Sequence, residues 1–153
     1  MTPEQKLAEL GIVLPESPPA VGNYLSTVQH GDLLFVSGHG PYRDGEYLYR
    51  GKVDSEVSVT DAQAAARLTI INALGSARAA LGTLDRVVRV VKLFGMVNSD
   101  PRFAAQPKVI DGASDLLAEI FGDAGLHTRS AVGLGALPMG ISVEIEMVLA
   151  VRD

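Results

Sequence analysis

The chain has 153 residues, with 13 lysines and arginines against 18 aspartates and glutamates, and it contains no cysteine. Disulfides, thiolate metal sites and a cysteine nucleophile are therefore excluded, and any chemistry must use oxygen, nitrogen and backbone groups. The net charge of −5 and the scattered basic residues argue against nucleic acid as a main ligand, because nucleic-acid affinity depends largely on clustered lysine and arginine.

No membrane partner is expected either. The hydrophobic fraction is 47%, yet the longest purely apolar runs span only a few residues, far short of the roughly 18 that cross a bilayer. The amino-terminal segment lacks the basic start and the long apolar stretch of a signal peptide. These features predict a cytoplasmic protein.

Residues 1–20 predict a short helix and an extended arm. The helix is expected over Pro3–Leu10, with proline at its start and Gly11 after its end. Three further prolines in residues 11–20 predict an extended segment. The arm leads into a single domain over residues 21–153.

Short β-prone runs fill the first third of this domain. Tyr24–Gln29 and Leu33–Ser37 flank His30-Gly31-Asp32, whose glycine permits a tight hairpin turn. A second turn signal, Asp44-Gly45, precedes a third short strand at Tyr47–Tyr49. The pattern predicts antiparallel strands.

Apolar residues then recur at helical spacing in two segments. The first helix begins near Thr60, where Thr60 and Gln63 resemble a capping box, and it ends at Gly82. The second helix has Pro107 at its start and ends at Gly122.

Three further strands are predicted around the second helix. Val87–Val97 is apolar on both alternating faces apart from Arg89 and Lys92, and such a strand requires cover on both sides of its sheet. Ala131–Leu134 and Ser142–Val151 follow. In the last strand, one face carries Val143, Ile145, Met147, Leu149 and Val151, and the other carries Glu144, Glu146, Val148 and Ala150.

The element order β-β-β-α-β-α-β-β predicts an α+β fold with a mixed sheet and two helices on one face. Two helices cover only one face of a sheet, so the apolar second face requires cover from outside the chain. The simplest supplier is another copy of the chain. We therefore expect a closed homo-oligomer with an interface formed by the sheets.

Motifs for nucleotide or metal chemistry are weak. The run beginning Gly133-Leu134-Gly135 starts like a dinucleotide fingerprint, but Pro138 takes its sixth position and no helix follows. The three histidines show no metal-ligand spacing and are expected to be solvated loop residues: His30, His39 and His127. No metal and no organic cofactor is expected.

Arg129 and Glu144 are the two candidate functional residues. Arg129 stands just before an apolar strand, and Glu144 lies on the more polar face of the last strand. Both could be solvated surface charges, since most charged side chains are. Alternatively, the guanidinium could hold a small carboxylate while the glutamate activates water. The residues alone leave both interpretations open.

Two segments near the carboxyl end, RSAVGLGALP at Arg129–Pro138 and VEIEM at Val143–Met147, closely resemble the signature of the YjgF/RidA family. The resemblance extends over most of the chain. Pro19–Tyr24 is similar to the segment that leads into the family's first strand, Leu34–Gly38 to its second strand, and Val90–Phe94 to the strand after its first helix.

The resemblance implies a chorismate-mutase-like α+β fold and a homotrimer with ligand pockets between subunits. It also implies hydrolysis of reactive 2-imino or enamine acids to 2-oxo acids and ammonium, without a cofactor. Arg129 would clamp the substrate carboxylate, and Glu144 would position or activate the attacking water. Tyr24 would close the pocket, and backbone at Gly38 and Ala131 would complete it.

The predicted pocket departs from the family pattern. Ala131 stands where the family often has cysteine, and Gly133 where it has glutamate. Asn23 replaces the proline that precedes the family's tyrosine. His39 follows the Ser-Gly pair where glutamine is common, which makes His39 a candidate substrate-binding residue. These differences predict a divergent subgroup that retains the arginine.

Two other functions remain open beside the deaminase. The first is a noncatalytic trimer that binds a small carboxylate metabolite. The second is the endoribonuclease and translation-inhibitor activity ascribed to some family members. The acidic charge, the absence of tryptophan and the lack of a basic stripe argue against the second, because single-strand binding uses cationic grooves and stacked aromatic residues.

Overall fold

The computed structural model describes residues 1–16, 20 and 22–153. The predicted arm at Pro18 and Pro19, and with it part of the Pro19–Tyr24 motif, lies outside the described residues. The helices are α1 (Pro3–Glu9), α2 (Val59–Leu81) and α3 (Gln106–Phe121). The strands are β1 (Thr27–His30), β2 (Leu33–His39), β3 (Tyr42–Arg43), β4 (Glu46–Tyr47), β5 (Val87–Asn98), β6 (Thr128–Leu134) and β7 (Val143–Val151).

Five strands form one mixed sheet in the order β1-β2-β7-β5-β6, and β3 pairs with β4 in a separate hairpin. β5 and β6 run parallel, whereas the other neighbouring strands run antiparallel. The predicted α+β class with a mixed sheet is confirmed. No helix in the described part of the chain has the length and apolar composition that a membrane span requires.

One face of the sheet packs against α2 and α3 and forms the main core. The predicted alternation along β7 is confirmed, because every second residue from Val143 to Val151 is at most 4% exposed. Leu93 and Val97 of β5 are fully buried on the same side. The two long helices therefore cover one face, as predicted.

The other face is called here the open face. Val28, Phe35 and Val148 lie side by side across three strands, and Val28 and Phe35 are 50% and 45% exposed. Phe94 and Glu146 form the next cross-strand pair. The open face is thus partly apolar, as the pattern of β5 predicted, whereas cover by another copy of the chain stays a prediction.

A second, smaller cluster covers one end of the open face. It consists of Met96, Leu137 and Ile141, with Tyr47 and Phe94 packed against it. The segment between β6 and β7 supplies two of these residues. This cluster places the β3–β4 hairpin beside the sheet.

The amino-terminal helix is part of the domain's packing. Leu7 and Leu14 belong to the main core. The Glu4 carboxylate accepts a hydrogen bond from the Leu84 backbone N–H at 2.9 Å and contacts the Arg78 guanidinium at 3.3 Å. These contacts join α1 to α2 and to the segment that follows it.

Two local expectations are wrong at element boundaries. The cap of α2 is Ser58, whose hydroxyl accepts from the Asp61 N–H, because the helix already begins at Val59. The Gln63 side chain, expected in a capping box with Thr60, instead donates to a carbonyl of α3.

The strand predicted at Tyr47–Tyr49 is only the short β4. Asp44 and Gly45 both have positive φ, at 52° and 88°, which is the geometry of a two-residue hairpin turn. The turn therefore pairs Tyr42 directly with Tyr47.

Gly112 marks a close approach of α2 and α3. A Cβ at this position would overlap the backbone carbonyl of Gln63. Helix propensity alone favours alanine over glycine by about 1 kcal/mol. We nevertheless expect Gly112→Ala to lower the free energy of unfolding by about 1–3 kcal/mol, the usual cost of overpacking.

Urea unfolding followed by circular dichroism measures this effect. Gly135→Ala is the control, because a Cβ there meets nothing within 4 Å. A Gly112→Ala variant more stable than the wild type would show that the two helices do not approach as closely as described.

Candidate functional site

Arg129 lies inside β6, one residue after the strand begins, and not before the strand as expected. Its register partner on β5 is Leu93, which faces the helices. The Arg129 Nη1 donates to Asp111 Oδ1 at 2.8 Å and to Ser114 Oγ at 3.2 Å, both on α3. The guanidinium is thus held between β6 and α3, with its side chain 24% exposed.

His127 extends this contact into a chain of hydrogen bonds. Its Nδ1 is 2.6 Å from the Gly125 carbonyl oxygen, and its Nε2 is 2.9 Å from Ser114 Oγ. Since a carbonyl only accepts, Nδ1 carries the proton in the neutral ring and Nε2 accepts from the Ser114 hydroxyl. The Ser114 oxygen then accepts from Arg129. The expectation of a solvated His127 is wrong.

Glu144 lies on β7 and projects to the opposite side of the sheet. Its register partner is Met96, a member of the smaller cluster. Gly38, within the irregular stretch of β2, leaves room for the carboxylate, because a Cβ there would come 3.1 Å from the Glu144 Cδ and Oε2. Burial raises the pKa of Glu144 above its ordinary 4.5, and nearby Glu146 raises this pKa further.

Tyr47 lies near Glu144 and near two further tyrosines, Tyr24 and Tyr42. The rings of Tyr42 and Tyr47 meet edge to face with centroids 5.0 Å apart. Burial raises the pKa of Tyr47, and the neighbouring Tyr42, Tyr24 and Glu144 raise this pKa further by electrostatic repulsion of the phenolate. Tyr24, which the family resemblance implied as a pocket residue, is 55% exposed.

His39 and Ala131 lie on the helix-facing side of the sheet. The His39 Nδ1 is 2.6 Å from the Ser37 carbonyl oxygen, and its Nε2 is 2.7 Å from Ser76 Oγ on α2. The expectation of a solvated His39 is wrong. Contact of His39 with substrate stays a prediction, and it would use ring carbons because both nitrogens are engaged. Ala131 is paired with Gly95 and packs against the core.

The predicted site residues therefore form two separate groups. The arginine cluster consists of Arg129, Asp111, Ser114 and His127. The glutamate cluster consists of Glu144, Gly38, Tyr24, Tyr42 and Tyr47. Because the two clusters lie on opposite faces of one sheet, a single chain does not bring Arg129 and Glu144 to the same ligand.

Five members of these clusters were not among the residues predicted from the sequence. The Asp44-Gly45 turn could have indicated the Tyr42–Tyr47 pair, since a two-residue hairpin places those positions opposite each other. Asp111 and Ser114 share one face of a helix by their spacing. Their contact with Arg129 follows only from the packing of α3 on β6.

The fold and the arginine- and glutamate-bearing strands define the chain as a member of the chorismate-mutase-like α+β class. The family model described as "YjgF/chorismate mutase-like, putative endoribonuclease" matches residues 4–148. The chain belongs to this family, as its resemblance to the family signature predicted.

Several relatives cover nearly the whole chain. Protein TCP17 of Trypanosoma cruzi is 43% identical over 148 residues, which are 96% of this chain and 92% of the relative. The crystal structure of Atu1372 from Agrobacterium tumefaciens, a protein of unknown function, is 42% identical with a TM-score of 0.91, covering 98% of this chain and 92% of that chain. The crystal structure of E. coli TdcF with bound serine is 26% identical with a TM-score of 0.64, covering 90% of this chain and 94% of that chain.

The half-buried His39 predicts an acid-sensitive fold. Burial lowers the pKa of His39 below its ordinary 6.5, more than its hydrogen bond to the Ser37 carbonyl raises this pKa. As the pH falls below about 6.5, the unfolded chain takes up a proton that the folded chain resists, so the free energy of unfolding decreases. We expect His39→Asn to be less stable overall but to show a smaller slope of stability against pH between about 6.5 and 5.

The measurement is urea unfolding at closely spaced pH values. His30→Asn is the control, because that ring lies on an exposed strand end. An unchanged slope in His39→Asn would assign the acid sensitivity to other groups.

Proposed function

We propose that this protein hydrolyses reactive 2-imino or enamine acids to 2-oxo acids and ammonium. In this proposal Arg129 of one copy holds the substrate carboxylate, and Glu144 of a neighbouring copy activates the attacking water. The reaction takes place in the cytoplasm and needs no metal or organic cofactor. The observation that carries the proposal is the anchored, partly exposed guanidinium of Arg129.

The guanidinium is anchored through one nitrogen only. Nη1 donates to Asp111 and Ser114, whereas Nη2 and Nε form no hydrogen bond or ion pair with the described residues. A planar guanidinium binds a carboxylate best through two parallel N–H groups. The two remaining nitrogens are suited to hold a 2-imino acid in one orientation.

Glu144 has the properties of a general base. Its raised pKa lies closer to neutral pH than that of a solvated carboxylate, which favours exchange of a proton with water. Water attacks the carbon of the protonated imine and forms a carbon–oxygen bond while Glu144 takes one of the water protons. Glu144 passes this proton to the amino nitrogen, and the carbon–nitrogen bond then breaks as Glu144 takes the remaining hydroxyl proton, which leaves the 2-oxo acid and ammonia. Ammonia takes up that proton and departs as ammonium. An imine is already electrophilic, so orientation and one proton carrier suffice.

A second copy of the chain would unite the two clusters. The open face carries exposed Val28 and Phe35, which a partner would bury, and it also carries Glu144. We propose the homotrimer, with substrate pockets between subunits, as the assembly that brings Arg129 to the partner's open face. The bound serine of TdcF, a small molecule with a carboxylate, is consistent with a pocket of this kind.

The word endoribonuclease in the family description raises RNA cleavage as a competing function. The net charge of −5 opposes the binding of polyphosphate chains. Neither cluster contains more than one lysine or arginine. The geometry therefore favours a small anion over RNA.

Removal of the guanidinium should abolish most imine hydrolysis. An amino-acid oxidase generates the imine, semicarbazide traps it, and the enzyme slows the rise in semicarbazone absorbance. We expect Arg129→Gln to lower turnover by roughly 10- to 100-fold, the effect of losing charged hydrogen bonds. We expect a loss of about 100-fold for Glu144→Gln, the effect of losing a general base.

The control is Arg67→Gln, because Arg67 is an exposed arginine that contacts Glu119 only at 4.0 Å. Equal rates for wild type and Arg129→Gln would refute the catalytic role. Arginine-dependent binding of 2-oxobutyrate without imine turnover would instead favour the noncatalytic carboxylate-binding protein.

The division of the site between copies predicts complementation. Arg129→Gln and Glu144→Gln are each expected to retain no more than about a tenth of the wild-type activity, but subunits co-expressed at equal amounts form mixed oligomers. In these oligomers roughly a quarter of the intersubunit sites would combine an intact Arg129 with an intact Glu144.

Activity of the co-expressed sample near a quarter of the wild-type value would support the shared site. A mixture no more active than the two single variants would contradict it, as would a stable monomer at micromolar concentration in sedimentation.

A further inference from the structure

Asp111 and Arg129 form a short ion pair that is open on one side. Asp111 Oδ1 accepts from Nη1 at 2.8 Å, and the two side chains are 48% and 24% exposed. Within the described part of the chain, the structure gives no second partner for the Asp111 carboxylate. An accessible carboxylate oxygen thus lies beside accessible guanidinium nitrogens.

This pair is more firmly held than an ordinary surface pair. Arg67 and Glu119, on the exposed faces of α2 and α3, are 4.0 Å apart and more than 40% exposed. Arg129, by contrast, is also tied to Ser114, which His127 orients. This second hydrogen bond fixes the plane of the guanidinium relative to α3, the helix on which Asp111 also lies.

Two opposite charges side by side match a particular ligand chemistry. A 2-amino acid or a protonated 2-imino acid carries an anionic carboxylate and a cationic nitrogen on adjacent carbons. The ligand carboxylate can contact Nη2 and Nε of Arg129 while its nitrogen donates to the second oxygen of Asp111. A 2-oxo acid has no cationic nitrogen, so for this ligand Asp111 contributes only repulsion.

We infer that Asp111 is the cation-binding half of the Arg129 site and makes the site selective for zwitterionic 2-imino or 2-amino acids over simple 2-oxo acids. The inference rests on the proposed role of Arg129 as the carboxylate-binding residue. Hydrolysis converts the zwitterionic substrate, which Asp111 attracts, into an anionic product, which Asp111 repels. Release of the product is thereby favoured.

The test compares two ligands of the same carbon skeleton, L-2-aminobutyrate and 2-oxobutyrate, by titration calorimetry of the full chain. For Asp111→Asn we expect L-2-aminobutyrate to bind about tenfold or more weakly, since a charged hydrogen bond is lost, while 2-oxobutyrate binds equally or more tightly. Glu119→Gln is the matched control, because Glu119 lies about two turns further along the same helix, contacts Arg67 only at 4.0 Å, and gives a variant with the same net charge. This control should bind both ligands as the wild type does.

The outcomes separate this inference from the proposed function. A uniform change in affinity for both ligands in Asp111→Asn would overturn the selectivity. If Arg129→Gln binds neither ligand while Asp111→Asn keeps the wild-type preference between the two ligands, the role of Asp111 is refuted and the carboxylate site at Arg129 is retained. If the wild type binds neither ligand, both proposals fail. Asp111→Glu, which keeps the charge but moves it, should retain part of the preference for L-2-aminobutyrate.

Discussion

The alternation of side chains along β7 is the constraint on which the rest of the structure depends. Val143 and Ile145 must be buried under α2 and α3, so Glu144 between them must project to the open face. A shift of one residue in register would bury the carboxylate in the core and expose the apolar row. The position of the glutamate cluster is therefore fixed by the same interaction that forms the hydrophobic core.

The arginine cluster depends on a different contact, that of α3 with the edge strand β6. A partly exposed ion pair such as Arg129–Asp111 contributes only about 0–1 kcal/mol to stability. The ion pair instead helps to orient the guanidinium, which Ser114 and His127 restrict further. For the proposed role of Arg129 as a substrate clamp, such restriction matters more than stability, since orientation of the reacting group supplies much of the catalysis.

The two faces of the sheet thus serve different purposes in one chain. The helix-covered face stabilises the fold and holds the guanidinium at its edge, whereas the open face carries the carboxylate among tyrosines and exposed apolar residues. The shared site proposed above follows from this separation, because side chains on opposite faces meet only when a second sheet is present. Relatives such as Atu1372 have the same fold over nearly the whole chain.

The sequence by itself determined the α+β class, the two long helices, the alternation of β7 and the family, because each depends on periodicity or on a local motif. It also singled out Arg129 and Glu144. It did not determine that β6 pairs in parallel with β5, which places Arg129 against Asp111 and Ser114. Nor did it indicate that His39 and His127 are engaged by helix serines, because strand order and helix packing bring together residues far apart in the chain. Only the tertiary structure decided that the two predicted site residues lie on opposite faces.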